Sequence, residues 1–400
     1  MDQTFVAGVE SPTKPGYYEW GDPENWEPYG VPNLPHPWSD PEWYAQTDEA
    51  DNVIFSNSSP NCDLSTVATH VCYDFNSSGY TGDFWYSNSF TTIQIRGTSC
   101  ILGSGMTSSC GTVDVGFRFQ FDNTSAATLL TNGVELHLLN CIGVGAVTVS
   151  DDLKLRQDIS ASLTIGSLWD PSCSVTVNGN IYGGNITVAN AGSLTASNIY
   201  FFSEEATGSA YAKDTSNINC NNIIINGYSV TLRSDNATLN IADKLTYENN
   251  GGPLYLRDNI NLPDFEIDPG SSVRLYVGSN IAVLGRFDAV GTSDDPITFR
   301  TPTLDTGDAF FSVTTLGQVK YVEATDIDSS GGVEIVDWNG TLLRTINWRV
   351  PGGGESSVSS VSSSSHSSIV ASSSSSSSQS SGSSSSSSSD VVRGYAFIIN

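Results

Sequence analysis

The sequence predicts an all-β protein: a parallel β-solenoid (β-helix-like) rod with an aromatic N-terminal cap and a disordered, serine-rich C-terminal tether. Three observations predict it. Between about Thr91 and Arg300, short apolar-alternating runs recur between Gly, Asn, Asp or Ser, as in Ser174-Val-Thr-Val-Asn178, Asn185-Ile-Thr-Val-Ala189 and Ser229-Val-Thr-Leu-Arg233. Period two means strands, and no comparable stretch carries the 3.6-residue apolar period of a helix. Finally, the runs are many and their connections short, which suits a stack of rungs with inward Val, Ile and Leu columns.

Residues 1–58 read as the cap. They hold Trp20, Trp26, Trp38 and Trp43, four of the eight tryptophans, among many prolines and acidic residues. Prolines at this density exclude a helix or a long strand. The open end of a stack needs covering, which favours a cap. The alternative is that the four tryptophans form a sugar-binding surface, because indole stacks on pyranose rings.

Residues 59–300 read as the solenoid body. At about twenty residues per coil and ~4.8 Å per rung, about ten rungs make a rod on the order of 50 Å long. Asn178-Gly179, Gly183-Gly184, Asn226-Gly227 and Asn249-Asn-Gly-Gly252 supply the left-handed corners such coils need. Residues 301–350 read as closing β-rungs. Residues 351–389 are mostly glycine and serine and bury too little to fold, so they read as a disordered linker whose ends average roughly 30–35 Å apart. Residues 390–400 are a short apolar strand, and Val391, Val392, Tyr395, Phe397, Ile398 and Ile399 would dock on a partner's sheet edge. Folding back onto its own rod, or being the start of a further module, are the competing readings of that strand.

The 400 residues carry 43 acidic and 16 basic side chains, a net charge of −27, which argues against nucleic-acid and anionic-lipid partners. No apolar run is long enough to span a membrane. Met1-Asp2-Gln3 is followed by no secretory h-region, so export by the usual signal is not expected. The seven cysteines form no C-x-x-C, and six of them follow Asn or Ser, a polar-out, Cys-in step that suggests small core residues. Local bridges such as Cys62–Cys72 or Cys100–Cys110 are the alternative.

The best metal candidate is the loop Asp326-Ile-Asp-Ser-Ser-Gly-Gly-Val-Glu-Ile-Val-Asp337. Asp326, Asp328, Ser330, Glu334 and Asp337 fall at calcium-loop spacing with Gly331 at the turn, although strand-like flanks replace helices. Ca²⁺ is the ion it would take; the plain alternative is a solvated acidic turn, and no cofactor is required. No catalytic residue is assigned. Glu204-Glu205, Asp151-Asp152, Asp294-Asp295 and Asp305/Asp308 are adjacent acids of the kind a very acidic chain produces by chance, and strand neighbours point to opposite faces. The basic residues show no cluster in the sequence, and His137, between Leu136 and Leu138, is expected to face solvent.

Several motifs together resemble a family of phage, prophage and metagenomic β-solenoid proteins. They are the opening Trp20-Gly-Asp-Pro-Glu-Asn-Trp26, then Pro41, Asp51-Asn-Val-Ile-Phe55 and Cys72-Tyr-Asp-Phe75. The closing ones are Gly291-Thr-Ser-Asp-Asp-Pro-Ile-Thr-Phe299, Val319-Lys-Tyr321 and Asp328-Ser-Ser-Gly-Gly332. The resemblance covers most of 17–350; the insert around Pro28–Glu42 and the polyserine tail depart from it. It implies a non-enzymatic structural or attachment protein of a virion, tail-associated or decorating its surface. Its partners would be other structural subunits of the particle, a host-surface glycan and further copies of itself. A polysaccharide-degrading enzyme on the same scaffold and a bacterial cell-surface adhesin are the competing functions.

Overall fold

The computed structural model describes residues 2–8, 10, 16–19, 26–27, 52–64, 69–86, 91–110, 117–143, 145–156, 161–166, 173–203, 207–227, 229–249, 252–302 and 308–351. Among them there is no helix, and the strands pair almost entirely in parallel. Parallel pairing between strands one coil apart requires the chain to wind, so each alternating run becomes one side of a coil. The protein is a β-solenoid, and the column lies within the unit Met1–Ser356.

Three strand-bearing faces recur in each coil. The first face runs through Asp2–Phe5, Asn52–Ile54, Phe75–Asn76, Ser99–Ile101, Ala127–Leu130, Ala146–Val149, Ser174–Val177 and Ser193–Thr195. It continues into the N-terminal halves of Asn217–Gly227 and Thr238–Asn249. The column's first rungs therefore lie inside the segment read as a cap.

The second face is the longest unbroken run. Its thirteen strands are Thr69–Cys72, Thr92–Ile95, Phe117–Phe121, Glu135–Cys141, Ser162–Ile165, Asn185–Val188, Gly208–Lys213, Val230–Asp235, Leu254–Leu262, Ser272–Leu275, Ile297–Arg300, Val322–Thr325 and Thr341–Leu343. Eleven of them fall within 59–300, near the number expected. At ~4.8 Å per rung the thirteen span roughly 55–60 Å.

The third face includes Leu153–Leu155, Ile181–Tyr182, Asn198–Ser203, Asp264–Ile267 and the C-terminal halves of Asn217–Gly227, Thr238–Asn249, Asn280–Val290 and Ala309–Lys320.

Register keeps like above like. On the first face Val147, Val175, Leu194, Ile218 and Leu239 stand in one inward row. On the second, Ile186, Ala210, Leu232, Leu256 and Leu275 do so. On the third, Ile199, Ile223, Leu245, Phe265 and Phe287 do so. All are buried, and each large aliphatic side chain contributes about 1.5–3 kcal/mol relative to exposure.

Aromatic side chains concentrate toward both ends of the column. Phe5, Phe55, Phe75, Tyr80 and Phe84 pack ring against ring in the early coils. Phe265, Phe287, Phe299 and Phe311 do so in the late ones, where Trp348 closes over Phe299.

Corners use two devices. Gly183 and Gly184 are left-handed, at φ +77° each, as expected, and so are Asn132, Asn190, Asp214, Asn236, Asn339 and Asn347. Asn178-Gly179 is not: a Cβ on Gly179 would lie 2.2 Å from Asp152 Oδ1, so close approach explains that glycine.

The described cysteines 62, 72, 100, 141, 173 and 220 are buried thiols, so Cys62 and Cys72 are not bridged. His137 is also buried, which corrects the expectation that it faces solvent. The register slips there, Phe117 pairing with Leu136 but Arg118 with Leu138, so the alternation loses a step and His137 turns inward. No described helix is long and apolar enough to cross a membrane.

Candidate functional site

A solenoid coil spends its inward positions on the core, so chemistry is left to the outward rows. On the second face, register places Tyr211, Arg233 and Arg257 in one outward row. Tyr255, Arg274 and Arg300 form another. The Arg233 guanidinium lies 4.5 Å from the Tyr211 ring centre, Arg257 4.7 Å from that of Tyr276, and Arg274 5.5 Å from that of Tyr255. At these distances a guanidinium is attracted to the aromatic ring. Arg274 Nη1 also donates to the Tyr255 hydroxyl at 3.1 Å.

Two carboxylates steady the strip. Arg233 donates from Nε to Asp258 at 2.8 Å and from Nη2 to Asp235 at 3.1 Å. These contacts hold its guanidinium more firmly charged, the hydrogen bond to Asp258 first. Asp258 itself sits in the left-handed region at φ +68°, at the corner in the middle of Leu254–Leu262, and its other oxygen comes within 3.9 Å of Arg257 Nε. With Lys213, the strip collects five of the chain's 16 basic residues on five consecutive rungs. The arginines stand roughly one coil apart in the sequence, which is why they look scattered there; the signal was coil-length spacing of Arg and Tyr at outward positions.

The third face is different. Tyr182 stacks on Tyr200 at 5.0 Å with rings 9° from parallel, and Tyr200 on Phe202 at 5.3 Å. Beside them an amide ladder runs from Asn222 to Asn198 to Asn180 at 2.9 and 2.8 Å. Farther along lies an open groove of about 570 Å³ whose lining includes Lys244, Asp264, Glu266, Asp268, Arg286 and Asp288. Most of its charges are committed: Lys244 pairs with Glu266, Arg286 with Asp288, and Asp264 and Asp288 accept the backbone N–H groups of Arg286 and Gln318. Asp268 is the exception. Burial, then repulsion from Glu248 and Glu266, raises its carboxyl from the ordinary value, against the opposing Lys244. No tryptophan lines the groove.

The calcium-spaced loop does not converge. Asp326 is buried and ion-paired to Arg344, with one contact at 2.8 Å. Asp328 caps the Ser330 N–H at 2.8 Å, Glu334 reaches Arg349 at 3.1 Å, and Asp337 accepts from the Val322 N–H within the core. Among the described residues no three His, Cys, Asp or Glu side chains gather as a metal-holding group. Adjacent acids are likewise spent on turns: Asp151 accepts from the Thr131 N–H and hydroxyl, and Asp152 from the Asn180 N–H.

Trp26 lies on a strand whose backbone pairs antiparallel with Phe5. Trp20, Trp38 and Trp43, Glu204 and Glu205, Asp305, and the docking strand with Val391, Val392, Tyr395, Phe397, Ile398 and Ile399 lie outside the described residues. Apart from Pro351, so does the linker. No family model matches the chain, and no match was found among the curated proteins or the solved structures.

Proposed function

We propose that the chain is a non-enzymatic attachment protein, a tail-associated or surface-decorating component of a phage virion, that displays a stiff β-rod. The observation that carries this reading is the unbroken second face, thirteen strands in parallel register over a continuous apolar interior. Nearest-neighbour stacking of this kind gives length and an extended surface with little chain. Outward rows are the display surface, and a host-surface glycan is the partner they suit. The last coils leave Val333, Trp338, Leu343 and Ile346 exposed, apolar side chains suited to a neighbouring structural subunit or a second copy. A bacterial cell-surface adhesin would use the same features.

One arrangement favours a second reading, a polysaccharide-degrading enzyme: the third-face groove gathers Asp264, Glu266, Asp268 and Asp288, and burial, then the nearby Glu248 and Glu266, raises the Asp268 carboxyl. Two measurements separate them. Proteomics of purified virions is expected to find the chain as a particle component. Incubation with host polysaccharide is expected to release no new reducing ends. Turnover that disappears in Asp268→Asn would replace the attachment reading with the enzymatic one.

A further inference from the structure

We propose that the Arg–Tyr strip of the second face binds a linear polyuronate, an acidic polysaccharide carrying one carboxylate on its charged sugars. The proposal rests on the attachment reading and gives it a ligand class.

Charge comes first. In a chain of net charge −27, five cations on five consecutive rungs of one face are a local reversal of sign. Register makes the reversal costly. Arg233 stands directly beside Arg257 on the next rung, and Arg274 beside Arg300. Like charges in register destabilise a sheet. Asp235 and Asp258 relieve the first pair. Among the described residues, no carboxylate lies within ion-pair reach of Arg274 or Arg300. The Nε of Arg274 is buried and lacks a hydrogen-bond partner there as well. A local rule broken without compensation among the described residues is the mark of a site that a ligand completes.

Shape and chemistry select the ligand. The guanidinium carbons of Arg233, Arg257 and Arg274 lie 4.5, 4.7 and 5.5 Å from the ring centres of Tyr211, Tyr276 and Tyr255, and Arg257, Arg274 and Arg300 keep donors for a planar carboxylate, which an Arg fork binds in bidentate fashion. The tyrosines offer ring faces to pyranoses and hydroxyls to their oxygens. The rungs repeat at ~4.8 Å, close to the advance of one 1,4-linked sugar, so a polymer lying along the column meets a rung per residue. Among the described residues, the five cations form ion pairs with three carboxylates, Asp214, Asp235 and Asp258. That modest excess matches a lightly charged chain rather than a densely sulfated one. A flat anionic membrane or a duplex would also have to approach the acidic remainder of the surface, which repels it.

The test uses the full chain in titration calorimetry at low salt. Polygalacturonate is expected to bind, and its fully methyl-esterified form and neutral dextran are not. Arg274→Gln with Arg300→Gln is expected to weaken binding by about tenfold or more, and Tyr276→Ala to weaken it as well. Arg349→Gln, elsewhere on the surface, is expected to leave it unchanged. Circular dichroism and the thermal midpoint confirm that each variant is folded. Absence of polygalacturonate binding, equal binding by the folded double variant, or tighter binding of dextran sulfate would each overturn the proposal. Virion proteomics reads the attachment role separately: polygalacturonate binding by a chain absent from particles would retire the phage role and keep the ligand.

Discussion

His70 and Asp337 are buried ionisable side chains in an early and a late coil, and they respond to pH in opposite senses. Burial lowers the imidazole of His70 from 6.5 to about 4, against the opposing hydrogen bond to the Leu64 carbonyl. Folding therefore favours its neutral form, and that contribution is lost as pH falls from 6.5 toward 4. Burial raises the carboxyl of Asp337 from 3.8 to about 6, against the opposing Val322 N–H. Folding favours its protonated form, so this contribution is present at low pH and is lost as pH rises from about 4 through 6. Asp337→Asn keeps an acceptor for Val322 and cannot ionise. Its urea midpoint is expected to exceed that of the parent at pH 7 and to match it near pH 4; equal midpoints at pH 7 would contradict this account. A second residue-scale expectation concerns Phe287, fully buried between Phe265, Phe299 and Phe311. Phe287→Ala is expected to cost about 3–5 kcal/mol in chemical unfolding, and Phe287→Leu less.

Single strands were the most legible elements. Runs such as Ser174–Val177, Asn185–Val188 and Ser272–Leu275 alternate cleanly in sequence and bury the expected residues. Corners were less legible. Asn217–Gly227 and Asn280–Val290 are continuous strands that change face midway, with register slips between Cys220 and Asn222 and between Val283 and Arg286. Nothing in a period-two pattern marks the residue at which the step is lost, and His137 was misplaced for that reason. The Arg–Tyr strip was hidden by the same irregularity, because coil length decides which outward residues become neighbours. The acidic loop at 326–337 failed differently: its spacing is that of a ligand set, but Arg344, Arg349 and the Val322 N–H each draw off one oxygen group. At a corner that was read correctly, Gly184 combines φ +77° with a position where a Cβ would lie 2.7 Å from Leu155 Cδ1. Gly184→Ala is expected to destabilise by more than about 1 kcal/mol, seen as a lower urea midpoint; no change would mean that the corner relaxes freely.

Over the whole molecule, each coil touches chiefly its two neighbours, so stability is set by adjacent interfaces. Coils near the middle have a neighbour on each side; those at the ends have one. Native-state hydrogen exchange is expected to show the strongest protection around Ile181–Leu262, declining toward Asp2–Phe5 and toward Trp348–Arg349. Uniform protection along the column would instead require unfolding as one indivisible unit. The same organisation bears on attachment: loss of an end coil would shorten the rod while leaving the second-face strip intact, because the strip occupies interior rungs.

The six described thiols have a use beyond packing. Cys62, Cys72, Cys100, Cys141, Cys173 and Cys220 are spaced along the first part of the column, and none is exposed. Burial holds those of Cys62, Cys72 and Cys100 far above the ordinary thiol range and Cys220 at about 12. None can be alkylated without local opening. Mass-resolved alkylation would therefore turn native cysteines into an internal clock, timing how often each segment breathes without any engineered probe.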